Sequence, residues 1–271
     1  MNHASRLLFL HGFLGSARDW EQVVHGLKSP LEKHAFDLQP AADWSTGISS
    51  VASQVDANTI LVGYSMGARI TLATAFQRQL AGLVLASGSP GLESDADRTQ
   101  RLAHDTRIAE RLEQMGDSEV PEFLSDWYRQ SVFESLGENQ IADLIEHRRR
   151  LDRNHHAALM RTYSVANQPN LWPRIHELDG NPQRQTRVLV VAGEKDSKYV
   201  DIARRFVRLC PSASLSIVAN AGHNVPREQP EKFCEIIDDF AGRVLHHRNS
   251  PLGESRSLSD GEGEAEGGKI G

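Results

Sequence analysis

One stretch of the chain decides the fold, and it reads Thr59-Ile60-Leu61-Val62-Gly63-Tyr64-Ser65-Met66-Gly67-Ala68-Arg69-Ile70-Thr71-Leu72-Ala73-Thr74-Ala75. The apolar run before Gly63 predicts a buried strand, and the pattern after Gly67 predicts a helix. Ser65 therefore stands at the tip of a sharp strand-to-helix turn. The backbone of such a turn is strained, so the residues two positions before and after the serine must be small. The turn pushes the hydroxyl out of the sheet, and the helix N-terminus behind it favours developing negative charge.

This G-x-S-x-G turn between a strand and a helix is typical of the nucleophile elbow of an α/β-hydrolase. The first 90 residues alternate in the same way, with predicted strands at Arg6–His11, Ala35–Leu38 and Gly82–Ser87, and predicted helices at Trp20–Leu27 and Ile48–Val55. Such alternation indicates an α/β fold, in which a mostly parallel sheet carries helices on both faces.

The pattern changes after the first 90 residues. Residues 91–182 are helical and rich in charge, with no clear strand, and the sheet resumes with the elements Arg187–Gly193, Tyr199–Leu209, Ser214–Val218 and Glu231–Leu245. We therefore predict one α/β-hydrolase core, residues 1–90 and 183–246, interrupted by a helical cap, residues 91–182. Such a cap lies over the carboxyl ends of the strands, where open α/β sheets bind ligands.

The end of the chain and its overall composition exclude several classes of protein. Residues 247–271 hold few apolar side chains and are predicted to be a disordered tail. The net charge of −6 gives no reason to expect nucleic acid or an anionic membrane surface as a partner. Cys210 and Cys234 form neither a disulfide framework nor a metal-ligand pattern, which favours reduced thiols in a cytoplasmic protein. We expect no signal peptide and no membrane span, and a monomer or a weak homo-oligomer.

The serine requires a base and an acid that orients the base. In this fold the chain order is serine, acid, histidine. His223, in Ala-Gly-His-Asn, follows the last predicted strand and is the candidate base. Glu194 and Asp196 both follow the strand that resumes the sheet, and we prefer Asp196 because the tip of the loop reaches farther towards the histidine.

The loop after the first strand supplies the second half of an oxyanion hole. His11 and Gly12 end that strand, and the glycine lets the backbone approach a ligand closely. The expected donors are the backbone N–H groups of Phe13 and of Met66, the residue after the serine. We expect His11 itself to be a structural hydrogen-bonding residue.

Arg69 lies four residues after Ser65, in the first turn of the elbow helix. A cation there opposes the helix dipole, which costs up to about 1 kcal/mol. Either Arg69 faces a bound anion, or it is a solvated or salt-bridged surface residue. The cap has eleven arginines, no lysine and seventeen acidic residues. Its bulk charge therefore does not indicate an anionic substrate, although arginine suits bidentate binding of carboxylates.

Six segments together resemble one family of α/β-hydrolase-fold lyases of menaquinone biosynthesis, the 2-succinyl-6-hydroxy-2,4-cyclohexadiene-1-carboxylate synthases. The segments are His11–Gly15, Gly63–Arg69, Pro90–Leu92, Asp126–Tyr128 with Val132–Phe133, Gly193–Tyr199 and Ala221–Asn224. The resemblance extends from Leu7 to the final helix. The arginine after the elbow, the Trp-Tyr segment of the cap and the Gly-Glu-x-Asp-Ser-Lys run are its most specific parts. Met66 and Ala68 replace the usual leucine and glycine, and Gln39–Ala42 departs from a common loop pattern.

The resemblance implies a role for each matching residue. Ser65, Asp196 and His223 correspond to the catalytic triad, and three arginines correspond to ligands of substrate carboxylates, namely Arg69, Arg101 and Arg148. Arg149 and Arg150 are adjacent alternatives to Arg148. The implied pocket aromatics are Tyr64, Trp127 and Phe133.

The resemblance also implies the reaction. The family is a carbon–oxygen lyase that eliminates pyruvate from a small polycarboxylate, 2-succinyl-5-enolpyruvyl-6-hydroxy-3-cyclohexene-1-carboxylate, with no metal and no organic cofactor. Our hypothesis is that Ser65 abstracts a proton from a carbon atom. A carboxylesterase or a C–C bond hydrolase of the same fold is the alternative, because fold does not determine function. A binding module without activity predicts an altered triad, whereas all three members are present here.

Overall fold

A six-stranded sheet forms the centre of the molecule, and its neighbouring strands all pair in parallel, in the order β2-β1-β3-β4-β5-β6. This computed structural model describes residues 4–179 and 186–249. The strands are β1 Arg6–Leu10, β2 Glu32–Phe36, β3 Thr59–Tyr64, β4 Gly82–Ala86, β5 Arg187–Gly193 and β6 Ser214–Val218. The predicted α/β architecture is therefore confirmed.

Helices cover both faces of this sheet. They are α1 Glu21–Gly26, α2 Trp44–Ala52, α3 Met66–Ala75, α4 Asp95–Gln114, α5 Val120–Tyr128, α6 Glu138–His147, α7 Arg153–Tyr163, α8 Ser197–Leu209, α9 Val225–Glu228 and α10 Pro230–Asn249. Short 3₁₀ segments lie at Ala17–Trp20, Asp117–Glu119, Ser131–Phe133 and Trp172–Leu178. Buried side chains of α2, α3 and α8 form the apolar core on one face, and those of α1 and α10 form the core on the other face.

The central strands are apolar on both sides because both faces of the sheet are covered. Every residue of β4 is buried. The edge strand β2 differs, since it begins at Glu32 with charged and half-exposed side chains. The prediction placed this strand at Ala35–Leu38 and was therefore late by three residues. An edge strand tolerates charged residues, so its start carries no apolar signal.

Between β4 and β5 the chain forms helices α4 to α7 and, over the described residues 87–179, no strand. These helices share an apolar cluster that includes Ala109, Leu112, Phe123 and Leu144. Leu14, from the loop after β1, belongs to the same cluster and joins it to the sheet. This arrangement suits the proposed cap, whose predicted end at Pro182 lies outside the described residues.

The final helix is longer than expected. It continues to Asn249, so the first three residues of the predicted tail 247–271 are helical, and the rest of that tail lies outside the described residues. Within residues 4–179 and 186–249, no helix is long and apolar enough to cross a bilayer.

The elbow has the strained geometry that its glycines imply. Ser65 has a φ of 52° and a ψ of −110°, a conformation that non-glycine residues rarely adopt. A Cβ on Gly63 would lie 2.5 Å from the carbonyl carbon of Gly67. A Cβ on Gly67 would lie 2.6 Å from the carbonyl carbon of Leu10 and 2.7 Å from the carbonyl oxygen of His11. Backbone atoms occupy the space on both sides of the turn, so only glycine fits at these two positions.

We expect Gly67→Ala to lower the free energy of unfolding by about 3 kcal/mol, because the added methyl group meets backbone atoms that cannot rotate away. Gly242→Ala is the matched control. A Cβ at Gly242, within α10, meets nothing within 4 Å, and alanine there gains up to about 1 kcal/mol of helix propensity. Urea unfolding measures both variants. Wild-type stability in Gly67→Ala would contradict the observed packing of the elbow.

Candidate active site

Three side chains from three loops meet above the carboxyl ends of the strands. Nε2 of His223 lies 3.1 Å from Oγ of Ser65, and Nδ1 of His223 lies 2.7 Å from Oδ2 of Asp196. Ser65 follows β3, Asp196 follows β5, and His223 follows β6. His223 is 4% exposed. The geometry is that of a serine nucleophile or base, activated by a histidine that a carboxylate orients.

Asp196 is held in place by the helix that follows it. It caps α8, where its Oδ1 accepts a hydrogen bond from the N–H of Tyr199 at 3.3 Å. Its Oδ2 accepts the Nδ1–H of His223, which leaves Nε2 of the imidazole free to accept the proton of Ser65. Glu194 is exposed and instead accepts a hydrogen bond from the N–H of Asn220 at 3.0 Å. The structure thus brings Asp196, and not Glu194, to the histidine.

Aromatic rings surround the imidazole of His223. The ring centroids of Tyr199, Tyr64 and Phe133 lie 4.6, 5.6 and 5.9 Å from it. These rings enclose the imidazole, which accounts for its burial. Tyr199 was not predicted from the sequence as a site residue, although it stands three residues after Asp196, within one helical turn.

The predicted oxyanion hole has its two residues beside Ser65. Phe13 and Met66 line the same cavity as the serine. Met66 is the first residue of α3, so its N–H has no intrahelical acceptor. His11 has the structural role expected of it. Its Nε2 accepts the N–H of Leu38 at 3.1 Å, its Nδ1–H donates to the carbonyl of Gly12 at 2.8 Å, and burial lowers its pKa.

A cavity of about 710 Å³ opens from the triad towards the cap. Its lining includes Arg69 and three residues from the cap segment, namely Arg101, Trp127 and Phe133. Four of the six predicted binding residues therefore lie on this cavity. Among the described residues, no three His, Cys, Asp or Glu side chains form a group suited to hold a metal ion.

Arg69 lies inside the protein, bound to uncharged acceptors. Its guanidinium donates to the carbonyl of Tyr163 at 2.7 Å and to the side-chain oxygen of Gln168 at 3.2 Å. Burial lowers its pKa to about 10, so Arg69 remains a cation at neutral pH. Within residues 4–179 and 186–249, no carboxylate forms an ion pair with it. The alternative of a salt-bridged surface residue does not hold, and the charge is available to an anion in the cavity.

Arg101 is fixed by a buried carboxylate. Its Nε–H donates to Oδ1 of Asp105 at 2.7 Å, and Oδ2 of Asp105 accepts the hydroxyl of Ser164 at 2.6 Å. Asp105 is 2% exposed, whereas the side chain of Arg101 is 42% exposed. The bond to Asp105 uses one of five donors of the guanidinium, so Arg101 is anchored and still able to bind a ligand.

Arg148 does not reach the cavity, contrary to the prediction. Its side chain is 8% exposed and donates to the carbonyl of Leu14 at 2.6 Å, to the hydroxyl of Tyr128, and to Oδ2 of Asp19 at 2.5 Å. The reason is Asp19, a carboxylate inside the protein that satisfies the guanidinium. The neighbours Arg149 and Arg150 are exposed.

Tyr64 also lies behind the cavity wall. A Cβ on Gly12 would lie 2.8 Å from its ring, so the ring packs directly beneath that glycine. Burial raises its pKa well above the usual value. Tyr64 therefore supports the loop after β1 and the ring of His223, and does not form part of the lining.

The cavity also has cations that sequence analysis did not select. Lys198 and Arg205, both on α8, belong to its lining. Arg205 forms a bidentate ion pair with Glu93, in which Nη1 lies 2.5 Å from Oε2 and Nη2 lies 2.8 Å from Oε1. Its Cζ also lies over the ring of Trp172, 3.9 Å from the ring centroid. Lys198 is exposed, and over the described parts of the chain it forms no ion pair. It precedes Tyr199, whose ring centroid lies 5.7 Å from its Nζ.

The cap also contacts the loop that holds His223. A Cβ on Gly222 would lie 2.6 Å from the Cβ of Ser135, which belongs to the cap. The Oγ of Ser135 is buried and has no hydrogen-bond partner within the described residues. The proposed cap therefore rests on the loop that holds His223.

Comparisons with known proteins identify the family of the chain. Residues 7–236 match the alpha/beta hydrolase family. The chain is 32% identical to the 2-succinyl-6-hydroxy-2,4-cyclohexadiene-1-carboxylate synthase of Salmonella heidelberg, over 88% of this chain and 93% of that protein. The chain belongs to this synthase family. It is 33% identical to the synthase of Citrobacter koseri, over 87% of this chain and 92% of that protein. The resemblance inferred from the motifs is thereby confirmed.

Further similarities concern a longer protein and solved structures. The chain is 30% identical to the chloroplastic protein PHYLLO of Arabidopsis thaliana, over 93% of this chain, and spans 16% of the length of that protein. The structure of MenH from S. aureus superposes with a TM-score of 0.79 at 25% identity, covering 90% of this chain and 96% of that one. An esterase from Thermogutta terrifontis, with a TM-score of 0.65 and 19% identity over 90% of this chain and 92% of that one, shares the fold alone.

The geometry predicts different effects for the two neighbouring acids. We expect Asp196→Asn to slow phosphorylation of Ser65 by diethyl 4-nitrophenyl phosphate about 10³- to 10⁴-fold, because His223 loses the carboxylate that selects its tautomer. Glu194→Gln, the matched control, should react at the wild-type rate. Release of 4-nitrophenolate measures both reactions. Slow phosphorylation of Glu194→Gln together with fast phosphorylation of Asp196→Asn would contradict the assignment of Asp196.

Proposed function

We propose that this chain eliminates pyruvate from 2-succinyl-5-enolpyruvyl-6-hydroxy-3-cyclohexene-1-carboxylate and forms 2-succinyl-6-hydroxy-2,4-cyclohexadiene-1-carboxylate in menaquinone biosynthesis. Membership of the synthase family supports this assignment. The observation that carries it is Arg69, a cation on the cavity wall one helical turn from Ser65, whose protein acceptors are uncharged. A neutral ester has no use for such a group.

The reaction begins with the removal of a proton from carbon. The ring carbon that bears the succinyl group lies between its ketone and the ring double bond, so its proton is the most acidic on the ring. The Oγ of Ser65 takes this proton as its own proton passes to Nε2 of His223, which Asp196 orients. The electron pair moves through the ring and expels the enolpyruvyl oxygen, which takes the proton held by His223. The released enol then tautomerises to pyruvate.

The charge that develops in this step is placed on the ketone oxygen. The N–H groups of Phe13 and Met66 would bind that oxygen as it becomes an enolate. The same donors serve a hydrolase by binding a tetrahedral intermediate. One fold therefore suits both chemistries, and the positions of the cations decide between them.

The substrate has three carboxylates, on the ring, on the succinyl chain and on the enolpyruvyl group. Arg69 and Arg101 are the proposed ligands of two of them. Since Arg148 is satisfied inside the protein, we assign the third carboxylate to Lys198, a cation of α8 that lines the cavity and, within the described residues, forms no ion pair. Trp127 and Phe133 would pack against the ring and so limit its orientation.

The elimination involves no net oxidation or reduction, so the proposal requires no redox cofactor. We further propose that the chain acts in the cytoplasm as a monomer or a weak homo-oligomer. Its two cysteines, Cys210 and Cys234, are free and buried, which fits a reducing compartment.

We expect the purified protein to release pyruvate from the enolpyruvyl substrate, measured by oxidation of NADH in the presence of lactate dehydrogenase. Ser65→Ala should lower kcat at least 10³-fold, because the base is removed. Ser50→Ala, an exposed serine on α2, is the control and should retain full activity. If Ser65→Ala keeps most of the rate, Ser65 is not the base.

Arg69→Gln distinguishes the lyase from an esterase. A lyase should lose about 30- to 150-fold in kcat/KM for the tricarboxylate, since a charge-assisted hydrogen bond contributes about 2–3 kcal/mol. An esterase would instead show a fast acyl-enzyme burst with 4-nitrophenyl acetate and lose little on the same substitution. A burst in the wild type without pyruvate release would favour the hydrolase alternative.

A further inference from the structure

The loop after β1 holds an unusual backbone next to the oxyanion hole. This oxyanion loop, residues 11–16, includes Leu14 with a φ of 60°. Such a conformation is strained for leucine and persists only where the surroundings hold it. Phe13, the proposed oxyanion donor, lies between Gly12 and Leu14. Its N–H is therefore aimed by whatever fixes its two neighbours.

Gly12 is held by a ring that packs against it from the sheet, and Leu14 is held by a side chain from the cap. The ring of Tyr64 packs directly beneath Gly12. On the other side, Arg148 comes from the end of α6 and donates its Nε–H to the carbonyl of Leu14 at 2.6 Å. Arg148 is thus the link between a helix of the cap and the strained residue of the oxyanion loop.

Asp19 completes this link. Its Oδ2 accepts from Arg148 at 2.5 Å, and its Oδ1 accepts from Nε2 of His147 at 3.2 Å. A Cβ on Gly15 would collide with Oδ2 of Asp19, so the carboxylate lies directly against the oxyanion loop. The hydroxyl of Tyr128, on α5, accepts a hydrogen bond from the remaining guanidinium nitrogen of Arg148. Each of the three nitrogens of Arg148 therefore has a protein partner.

The ion pair is fully charged at neutral pH. Burial alone would raise the pKa of Asp19, but Arg148 and His147 outweigh it and the pKa lies below its usual value. Burial alone would lower the pKa of Arg148, but Tyr128 and Asp19 outweigh it and raise the pKa. Removing one partner of such a pair leaves an uncompensated buried charge, which is costly. The pair therefore resists rearrangement in favour of a ligand.

We propose that Arg148 is a positioning residue that holds the carbonyl of Leu14 and thereby aims the N–H of Phe13 at the reacting oxygen. It acts through the oxyanion loop and does not bind a substrate carboxylate. Because it comes from α6, it also makes the geometry of the oxyanion hole depend on the seating of the cap. This inference rests on the proposed function, in which Phe13 is an oxyanion donor.

An uncharged phosphate triester separates the two roles of Arg148. Diethyl 4-nitrophenyl phosphate has no carboxylate, so a carboxylate ligand has nothing to bind on it. In its reaction Ser65 Oγ forms a bond to phosphorus, 4-nitrophenolate leaves, and the hydroxyl proton passes to His223. The phosphoryl oxygen gains negative charge and requires the N–H of Phe13. The rate of 4-nitrophenolate release therefore reports the oxyanion hole.

We expect Arg148→Gln to lower this phosphorylation rate at least 10-fold. It should also lower kcat for pyruvate release at least 10-fold, with KM within about threefold of the wild type. Asp19→Asn should change both rates in the same direction. The double variant Arg148→Gln/Asp19→Asn should be little worse than Arg148→Gln, because the two residues act through one ion pair. Arg149→Gln is the matched control, since Arg149 is exposed and pairs with Glu146 at 3.7 Å, and both rates should be unchanged.

Two results would overturn the inference. The first is a wild-type phosphorylation rate in Arg148→Gln together with a KM for the tricarboxylate raised at least 10-fold, which would make Arg148 a carboxylate ligand. The second applies if Arg148→Gln does not fold. The isosteric Asp19→Asn then decides, and a wild-type phosphorylation rate in that variant excludes positioning through the ion pair. If the wild type releases no pyruvate while phosphorylation still falls as described, the proposed function fails and the positioning role stands.

Discussion

The structure depends on one close approach between two pieces of backbone. Gly67, in the first turn of α3, packs against the carbonyl groups of Leu10 and His11 at the end of β1. Because β1 and β3 are neighbours in the sheet, with Leu10 opposite Gly63, this contact brings the elbow and the oxyanion loop together. The strain at Ser65 is a consequence of the same contact, and it persists because the covered sheet prevents the two strands from separating. The remaining catalytic groups are arranged around this junction.

Arg69, Arg101 and Arg148 carry the same side chain in three different environments. The environments differ in whether a carboxylate lies next to the guanidinium. Arg69 has uncharged acceptors and retains its charge for a ligand. Arg101 is anchored by the buried Asp105 through Nε and still lines the cavity. Arg148 meets Asp19 inside the protein and is bound through each of its three nitrogens. Whether an arginine binds a substrate or supports a loop is thus decided by what the fold places opposite it.

Features whose cause lies within a few residues could be predicted from the sequence. The two glycines around Ser65 and the apolar strand before it indicated the elbow, and the chain order of the fold indicated His223. The position of Arg148 could not be predicted, because Asp19 is 129 residues away in the chain. Tyr199 was missed although it stands within one helical turn of Asp196, because its ring meets His223 only after β5 and β6 have paired. The start of β2 was missed because an edge strand carries charged residues, so its pattern is not apolar.

The contact between Ser135 and Gly222 has a consequence for the evolution of the enzyme. The residue before the catalytic histidine has no room for a side chain while the cap occupies its observed position. Residues of the cap that face the cavity, such as Arg101 and Trp127, are able to vary without disturbing this seat. The turn that contains Ser135 is not free to vary in this way, because a bulkier residue there would lift the cap from the loop that holds His223. In a chimera of two relatives, this turn and the histidine loop must therefore be inherited together, and Arg148 of the cap must likewise accompany Asp19 and Leu14.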